Sequence, residues 1–384
     1  MRLAVVAAGF TPGEADELRR VMTHRRSHER LAAMKARLVA GMAERGISGA
    51  DAEQIFTQLL GFAGYGFPES HAASFALLVY ASAWIKRYHP AVFACALLDS
   101  QPMGFYAPHT LVEDAKRHGV PVRGVDVTAS GWESALEGAV PGRPAAPGEA
   151  PVLRVGLHAI RGLPRAVGDA ILAARAAGAF TSLPDLVRRA RLSRAWLLRL
   201  AEAGALGPLA VDRRSAVWRS LALEADGGDL FAGLAPPEPE PALPLASAAE
   251  EVSADYATTG LSVRGHPMAV VRPALQSRRI RTTRELARLP DRAPVEVAGL
   301  VIVRQRPETA RGIVFVSLED ETGIANLVVM PDVYERYRPI VRGSPFLVAR
   351  GRIERSGQVV NVRVETVAPL TLAPPVGSRA RDFH

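Results

Sequence analysis

The last third of the chain admits few folds. In VEVAGLVIVRQR, Val295, Val297, Val301 and Val303 fall on one face at period two, the spacing of a strand with one side buried. GIVFVSLED follows, then a turn at Glu321-Thr322-Gly323, then IANLVVM. A helix is predicted over Pro331–Tyr337, followed by PFLVARGRIER, a hairpin turn at Ser356-Gly357, and QVVNVRVETV. Five strands with a helix between the third and fourth predict an OB β-barrel over residues 291–370. Barrels of this kind take single-stranded nucleic acid, but also sugars and proteins. Single-stranded nucleic acid is the favoured expectation here, with Arg304 and Arg306 at the end of the first strand as candidate contacts.

Ahead of the barrel the pattern is helical, so the fold class is multidomain α+β. Thr11-Pro12-Gly13-Glu14 has the form of a helix start, with Thr as cap, Pro in the first turn and Glu three residues on. Helical spacing continues through Leu31, Met34, Leu38 and Met42. Further helices are expected at Asp51–Leu60, at the long apolar Ala72–Ile85, and at Ala107–His118. GVPVRGVDVTASGWESALE alternates like a short strand pair, and the Pro/Gly/Ala run from Gly138 to Pro151 predicts a loop. Short helices joined by tight turns fill 152–210, with two similar halves at Ile160–Arg175 and Leu192–Leu206. Residues 233–251 are proline-rich and acidic, a linker with nothing to bury. A connecting helical segment over 252–290, with a helical piece near Arg281–Leu289, leads to the barrel, and 371–384 form a tail.

A net charge of +8 and a pI near 10.1 favour a polyanionic partner. Only Lys35, Lys86 and Lys116 are lysines. So arginine-rich a composition is also what a GC-rich genome produces, and charge alone does not decide. The single cysteine, Cys95, excludes a disulfide framework and a zinc cluster and fits a reducing cytoplasm. Met1–Phe10 is too short an apolar run for a signal peptide and leads straight into an acidic helix start. The apolar Ala72–Ile85 is too short and too interrupted to span a bilayer. The expectation is a cytoplasmic protein with no membrane partner.

Two constellations bear on phosphate. Ile160-Arg161-Gly162-Leu163-Pro164-Arg165 lies between two short helices, where the turn of a helix-hairpin-helix unit would sit. Backbone amides at the second helix of such a unit bind a DNA phosphate without reading a base. Arg161, Gly162, Leu163 and Arg165 are the candidate DNA contacts, although Pro164 removes one amide donor where a second glycine is usual. The rival is a helical packing module that touches no DNA. In the N-terminal part, Arg19 and Arg20, with Arg25 and Arg26 beyond them, offer guanidinium forks for a triphosphate. Set beside Ser70, His71 and Lys86 they would form a cationic, hydroxyl-bearing cleft at the mouth of a buried helix. The plainer alternatives are a solvated basic face, an N-cap serine and a histidine without chemistry.

What would act on a bound phosphate is missing from the pattern. No P-loop and no Asp-x-Asp pair for two divalent metals occurs. No metal-ligand histidine spacing stands out, and Glu319-Asp320-Glu321 is best taken as a hairpin turn.

AGFTPGEADELRRVM, GYGFPESHAASFALLVYASAWIKRYHPAVFACALLDSQPMGFY, the hairpin segment, TTGLSVRGHP, the barrel and the terminal SRARDFH stand in a recognisable order. Essentially the whole chain resembles the C-terminal part of a bacterial C-family DNA polymerase. SQPMGFY and the short tail are most similar to the error-prone, translesion paralogue of the polymerase III alpha subunit. The resemblance implies that 1–135 are part of the fingers, with Arg19 and Arg20 as triphosphate contacts of the incoming dNTP and Ser70 and His71 matching the family's Ser-His. The hairpins would grip template-primer duplex and the barrel would lie near the single-stranded template. Mg²⁺ belongs to the family's palm, whose three aspartates have no match here, so this chain is expected to bind no cofactor and to be inactive alone. Asp229-Leu230-Phe231 occupies the place of the sliding-clamp motif, but Gly227 replaces its glutamine, which argues against direct clamp binding. An accessory Y-family-like protein and a complementing palm-bearing fragment are the further partners implied. The leading expectation is a truncated or split frame encoding the fingers-to-barrel half of such a polymerase. The alternatives are a free-standing DNA-binding protein and, more distantly, an RNA-binding one.

Overall fold

Helix α2 (Pro12–Thr23) starts at the predicted cap. The Glu14 amide donates to Thr11 Oγ1 at 3.2 Å, and the Thr11 amide donates to the Glu14 carboxylate at 2.7 Å. That closes a capping box, and its donors hold the Glu14 carboxyl below the ordinary range. The computed structural model describes residues 2–23, 28–63, 69–104, 106–138, 151–210, 212–222, 242–307, 310–372, 374–377 and 381–383. Within these, the side chains of 2, 22, 23, 28–33, 58–63, 69, 70, 222 and 381–383 are left aside. The described chain divides into two units, Met1–Ala83 and Trp84–His384.

In the first unit, α1 (Arg2–Ala8), α2, α3 (His28–Ala43) and α4 (Ala50–Ala63) surround Ala4, Ala8, Phe10, Leu18, Leu38, Met42 and Phe56. Gly41 is required where α3 meets α1, because a Cβ there would run into the Ala8 carbonyl. Helix α5 (Glu69–Tyr88) runs on from this unit into the next. The expectation of a buried helix is corrected: Leu77 and Tyr80 are 75% and 74% exposed, and Leu78 and Val79 are exposed as well. Its apolar residues lie on all sides. Such a composition calls for cover all round but does not say what supplies it.

In the second unit, α6 (Pro90–Asp99) and α7 (Pro108–Arg117) pack beside a small sheet of β1 (Val122–Arg123), β2 (Ala135–Glu137) and β3 (Val152–Arg154). The predicted strand pair is not a hairpin: β1 and β2 flank β3, in order β1-β3-β2. The residues between them instead fold over the next module, and Gly168 is required where α8 (Arg165–Ala176) meets the Trp132 ring. Helices α9 (Leu183–Ala190), α10 (Arg194–Glu202) and α11 (Arg213–Ala222) complete this layer. One core runs from Ala91 and Leu98 through Leu111, Val127 and Leu157 to Leu186, Leu200 and Leu206. Residues 84–135, read from sequence with the fingers, therefore share their core with the hairpin module.

Helix α12 (Ala248–Thr258) begins inside the stretch read as linker, because Ser247 and Glu250 form a second capping box. After α13 (Pro267–Ser277) and α14 (Thr283–Leu286) comes the barrel. Its strands are β4 (Pro294–Gln305), β5 (Val314–Asp320), β6 (Gly323–Val329), β7 (Phe346–Ser356) and β8 (Val359–Pro369), with α15 (Pro331–Gly343) between β6 and β7. The sheet runs β5-β6-β8-β7-β4 and closes through β4–β5, with β6 and β8 parallel. A last strand, β9 (Arg381–Phe383), pairs parallel to β4 at Val303–Gln305.

Strict alternation fails in β4. Val295, Val297 and Val301 point into the barrel with Leu318, Leu327 and Ile353. Ala298, Leu300 and Ile302 are buried too, on the outer side, against Tyr256 of α12 and Met268 and Leu275 of α13. A register shift between Val301 and Val303 moves Val303 to that outer group. Helix α15 also runs past the expected Tyr337 to Gly343, with a kink at Tyr337 two residues before Pro339.

Charge ties the barrel to the helical layer. Glu319 is fully buried on β5 and accepts from both terminal nitrogens of Arg117 on α7, at 3.1 Å each. Next to it, Asp320 is equally buried and accepts from Arg272 of α13 at 3.1 Å, from the Thr283 amide at 2.8 Å and from the Thr322 amide at 2.8 Å. The sequence TTGLSVRGHP forms the other side of this junction. Ser262 Oγ donates to Asp255 at 2.7 Å, Lys116 reaches the Ser262 carbonyl at 2.9 Å, and Arg264 pairs with Glu251 at 3.0 Å. His266 Nδ1 caps α13 by accepting from the Met268 amide at 3.1 Å. The acidic triplet is a hairpin turn, as expected, and also the anchor of the barrel.

Burial pushes the Glu319 carboxyl up to about 7, outweighing the pull of Arg117. The folded chain then holds a proton on Glu319 between its ordinary value of 4.5 and about 7, where the unfolded chain has lost it. This group's contribution to stability is therefore complete below pH 4.5 and is lost as pH rises through 7. Urea unfolding of the full chain at pH 5 and pH 8 should show a Glu319→Gln variant with the flatter profile. The difference across that window should be on the order of 2–3 kcal/mol.

Candidate nucleic-acid interface

Two turns in the helical layer follow the same backbone course. In the first, a short 3₁₀ turn at Leu157–Ala159 leads to Gly162 with φ 77°, a buried Leu163, and Pro164 extended at φ −70°, ψ 148° ahead of α8. In the second, α9 leads to Arg191 at φ 50°, ψ 45°, a buried Leu192, and Ser193 at φ −70°, ψ 156° ahead of α10. Gly162 thus corresponds to Arg191, Leu163 to Leu192, Pro164 to Ser193 and Arg165 to Arg194. Each leucine pins its turn to the core, and the earliest amides of each following helix lack acceptors in the turn before them, whereas the Val167 amide donates to the Pro164 carbonyl at 3.1 Å. Ala166, Val167 and Ala170 from α8 and Arg191, Ser193 and Trp196 from the second turn line one open groove of about 520 Å³.

The second turn has the fuller donor set. Ser193 keeps the backbone N–H that Pro164 lacks, and its hydroxyl makes no cap hydrogen bond. Sequence reasoning singled out the first turn and missed this one. The similarity of the two halves was visible, but Gly162 drew attention because an arginine is not the residue expected at a left-handed turn.

The predicted arginines fare differently. Arg161 donates to the Ala257 carbonyl at 3.2 Å and through its amide to Thr258 at 2.9 Å, so it braces the end of α12. Arg165 is exposed, donates to Asp169 at 2.9 Å, and stands 5.3 Å from the Trp132 ring. Arg304 is engaged inside the barrel domain, donating at 2.6 Å to both the Val341 and Ser344 carbonyls at the end of α15. Expected as a nucleic-acid contact, it here closes a helix C-terminus, where carbonyls lack partners. Arg306 is exposed and lies 5.1 Å from the Tyr334 ring.

Helices α12 and α13 cover the β4–β7 side of the barrel, whereas several outward side chains of β5, β6 and β8 are exposed. Phe315, Ile324 and Val359 are exposed there, with the Asn326–Asn361 and Val328–Arg363 pairs across β6 and β8. An aromatic ring, two amides and a guanidinium on one barrel face suit stacking and backbone contact with a single strand. Arg363 is partly balanced by Glu354 at 3.6 Å.

In the N-terminal unit, Arg19 and Arg20 each pair with Asp16 at 2.9 Å. Their hydrogen bonds and charge lower the Asp16 carboxyl. His71 stacks at 4.4 Å on Phe75. Helix α5 begins at Glu69, which puts Ser70 inside the first turn and not at the N-cap. Lys86, grouped with them from sequence, pairs with Asp114 of α7 at 2.9 Å. Arg25, Arg26, Gly227 and Asp229-Leu230-Phe231 lie outside the described residues, as does most of the predicted 138–151 loop. Among the described residues no three His, Cys, Asp or Glu side chains gather as a metal-holding group. No described helix is long and apolar enough to cross a membrane.

Three family matches tile the chain. Residues 1–46 match the bacterial DNA polymerase III alpha subunit finger domain, 119–216 the helix-hairpin-helix motif, and 295–370 the OB-fold nucleic acid binding domain. The whole chain is 87% identical to an error-prone DNA polymerase of Anaeromyxobacter dehalogenans strain 2CP-1, of which it covers 34%. It is 50% identical to the error-prone DNA polymerases of Azoarcus sp. strain BH72 and Rhodopirellula baltica, covering 36% and 33% of them. Over its whole length the chain is similar to part of these error-prone DNA polymerases. It spans about a third of the length of these curated relatives and corresponds to a C-terminal portion. The chain combines a helical finger region, a helix-hairpin-helix motif and a five-stranded OB barrel, as the sequence led one to expect.

The carbonyl contacts of Arg304 give a direct test. Arg304→Ala should lower the unfolding free energy by about 1–3 kcal/mol, the range for hydrogen bonds from a charged donor. Urea denaturation followed by far-UV circular dichroism measures it.

Proposed function

We propose that this segment holds template-primer DNA for an error-prone polymerase engaged in translesion synthesis and repair. The two hairpin turns would grip duplex phosphates without reading sequence, and the β5–β6–β8 face of the barrel would take the single-stranded template. One observation carries this reading: two turns follow the same backbone course, each leading into a helix, and the start of α8 and the second turn line one groove. Arg194 of the second turn joins Arg165 as the charged contact at those helix starts.

The finger unit, by the same reading, contacts the triphosphate of the incoming dNTP through Arg19, Arg20, Ser70 and His71. Asp16 would give up the two arginines to a more highly charged partner. The carboxylates that bind Mg²⁺ in a polymerase are read as lying on other parts of it, so these residues bind and orient without carrying the chemical step. The exposed apolar surface of α5 fits a segment that packs against another part of an enzyme. A palm-bearing fragment and a Y-family-like accessory protein are the partners this reading implies, in the cytoplasm, with the clamp contacted indirectly. The domain limits read from sequence, with fingers over 1–135 and hairpins over 152–210, are retained as the functional division.

Fluorescence anisotropy with a 20-base-pair duplex bearing a single-stranded 5′ extension tests the grip. Arg165→Ala with Arg194→Ala should weaken binding about tenfold, equally for unrelated sequences. It should also reduce the slope of log affinity against log salt by about 2, at roughly 0.9 per phosphate contact. Unchanged affinity would remove the hairpins from the interface. In primer extension with Mg²⁺ the chain alone should give no product, and any extension would overturn the division of chemistry.

A further inference from the structure

Left-handed backbone is glycine's territory, and among other residues Asn and Asp are the usual occupants. In this chain four non-glycine residues with positive φ are described: Arg191 at 50°, Arg279 at 60°, Arg292 at 61° and Arg311 at 50°. All four are arginines. Arginine supplies 44 of the 384 residues, so composition alone does not give four out of four.

Each position is one where a glycine would serve the backbone better. Arg191 ends α9, its amide donating to the Val187 carbonyl, and the matching place in the sister turn is Gly162. Arg279 follows α13, with its amide on Gln276 at 2.8 Å and that of Ile280 on Leu275 at 3.0 Å, the pattern glycine favours at a helix end. Arg311 and Gly312 are the two central residues of a turn closed by the Ile313 amide on the Ala310 carbonyl at 3.0 Å. Both have positive φ, the form in which Asn-Gly and Asp-Gly predominate.

The side chains do not explain the choice. Arg191, Arg279 and Arg311 are exposed, and among the described residues no ion pair or side-chain hydrogen bond is recorded for them. Arg292 differs, with Asp291 at 3.8 Å. A strained residue whose charged side chain has no recorded ion pair or hydrogen bond, held at an exposed turn tip, is placed for something outside the chain. A guanidinium suits a phosphodiester oxygen pair.

We propose that Arg191, Arg279 and Arg311 are phosphate contacts for a nucleic-acid backbone, retained at turn tips against the conformational preference of the chain. This extends the DNA-holding reading and rests on it. It adds a contact on the connecting segment and one on the β4–β5 turn, neither of which belongs to the hairpins.

The test uses the full chain and the same extended duplex. A triple variant, Arg191→Gly with Arg279→Gly and Arg311→Gly, relieves the backbone while deleting the charge. Its thermal midpoint should equal or exceed that of the parent. Its affinity should fall about 30-fold at 100 mM salt, with the salt slope reduced by about 2.7. The matching triple lysine variant keeps the charge and should stay within about threefold of the parent. Unchanged affinity and slope in the glycine variant would overturn the proposal while leaving the hairpin grip intact. Equal losses in the lysine and glycine variants would also overturn it, because charge would then not be what matters. If the parent chain bound no DNA at all, the underlying reading would fall first and this proposal with it.

Discussion

The second unit depends on a carboxylate pair that has no access to water. Glu319 and Asp320 stand side by side at the end of β5, both at 0% exposure. Their partners come from different elements, Arg117 from α7, Arg272 from α13 and Thr283 from α14. Removing charges from water costs more than their mutual attraction returns unless each oxygen finds well-placed donors. Only one placement of the barrel supplies both sets of donors. The pair therefore does more to fix where the barrel sits than to hold it there, and apolar burial of Leu300, Ile302, Tyr256 and Met268 supplies the adhesion.

This arrangement explains why TTGLSVRGHP is so dense in polar residues without being a ligand site. Ser262 and Arg264 reach Asp255 and Glu251 of α12, His266 caps α13, and the Ser262 carbonyl takes Lys116 of the helical layer. Arg213 and Ser262 converge on Asp255. A polar motif met in a sequence is easily taken for chemistry. Here it is largely the hydrogen-bonded interior of a joint between the helical layer and the barrel, although His266 Nε2 is buried there without a hydrogen-bond partner among the described residues.

Much of this was legible in the sequence. The barrel's five strands and intervening helix were readable because most of the strands alternate and turns such as Thr322-Gly323 and Ser356-Gly357 carry glycine. Two helix starts obey capping rules that three residues suffice to state, and the one at Ser247 was overlooked only because proline-rich sequence preceded it. The misreadings share a cause. Strand β4 is covered on both faces, so period two describes only half of what it buries. Residues 84–135 look like the continuation of a helical domain, yet their core partners lie past residue 150. Local pattern reports which residues are apolar. It cannot report which distant segment covers them.

The same limit governs the arginines. Sequence weighs every guanidinium alike, whereas the structure sorts them by what they already touch. Arg161 and Arg304 complete helix ends, Arg117 and Arg272 neutralise buried carboxylates, and Arg213 reaches Asp255. Each of these adds to the net charge but is committed internally. The cationic surface available to a polyanion is therefore smaller than the count of arginines suggests, and Arg191, Arg279 and Arg311 at turn tips belong to it. A turn tip can hold a long side chain clear of its own domain, and a charge held that way meets little competition from neighbouring carbonyls. Placing cations at turns thus keeps them available, while the interior arginines are consumed in building the scaffold that presents them.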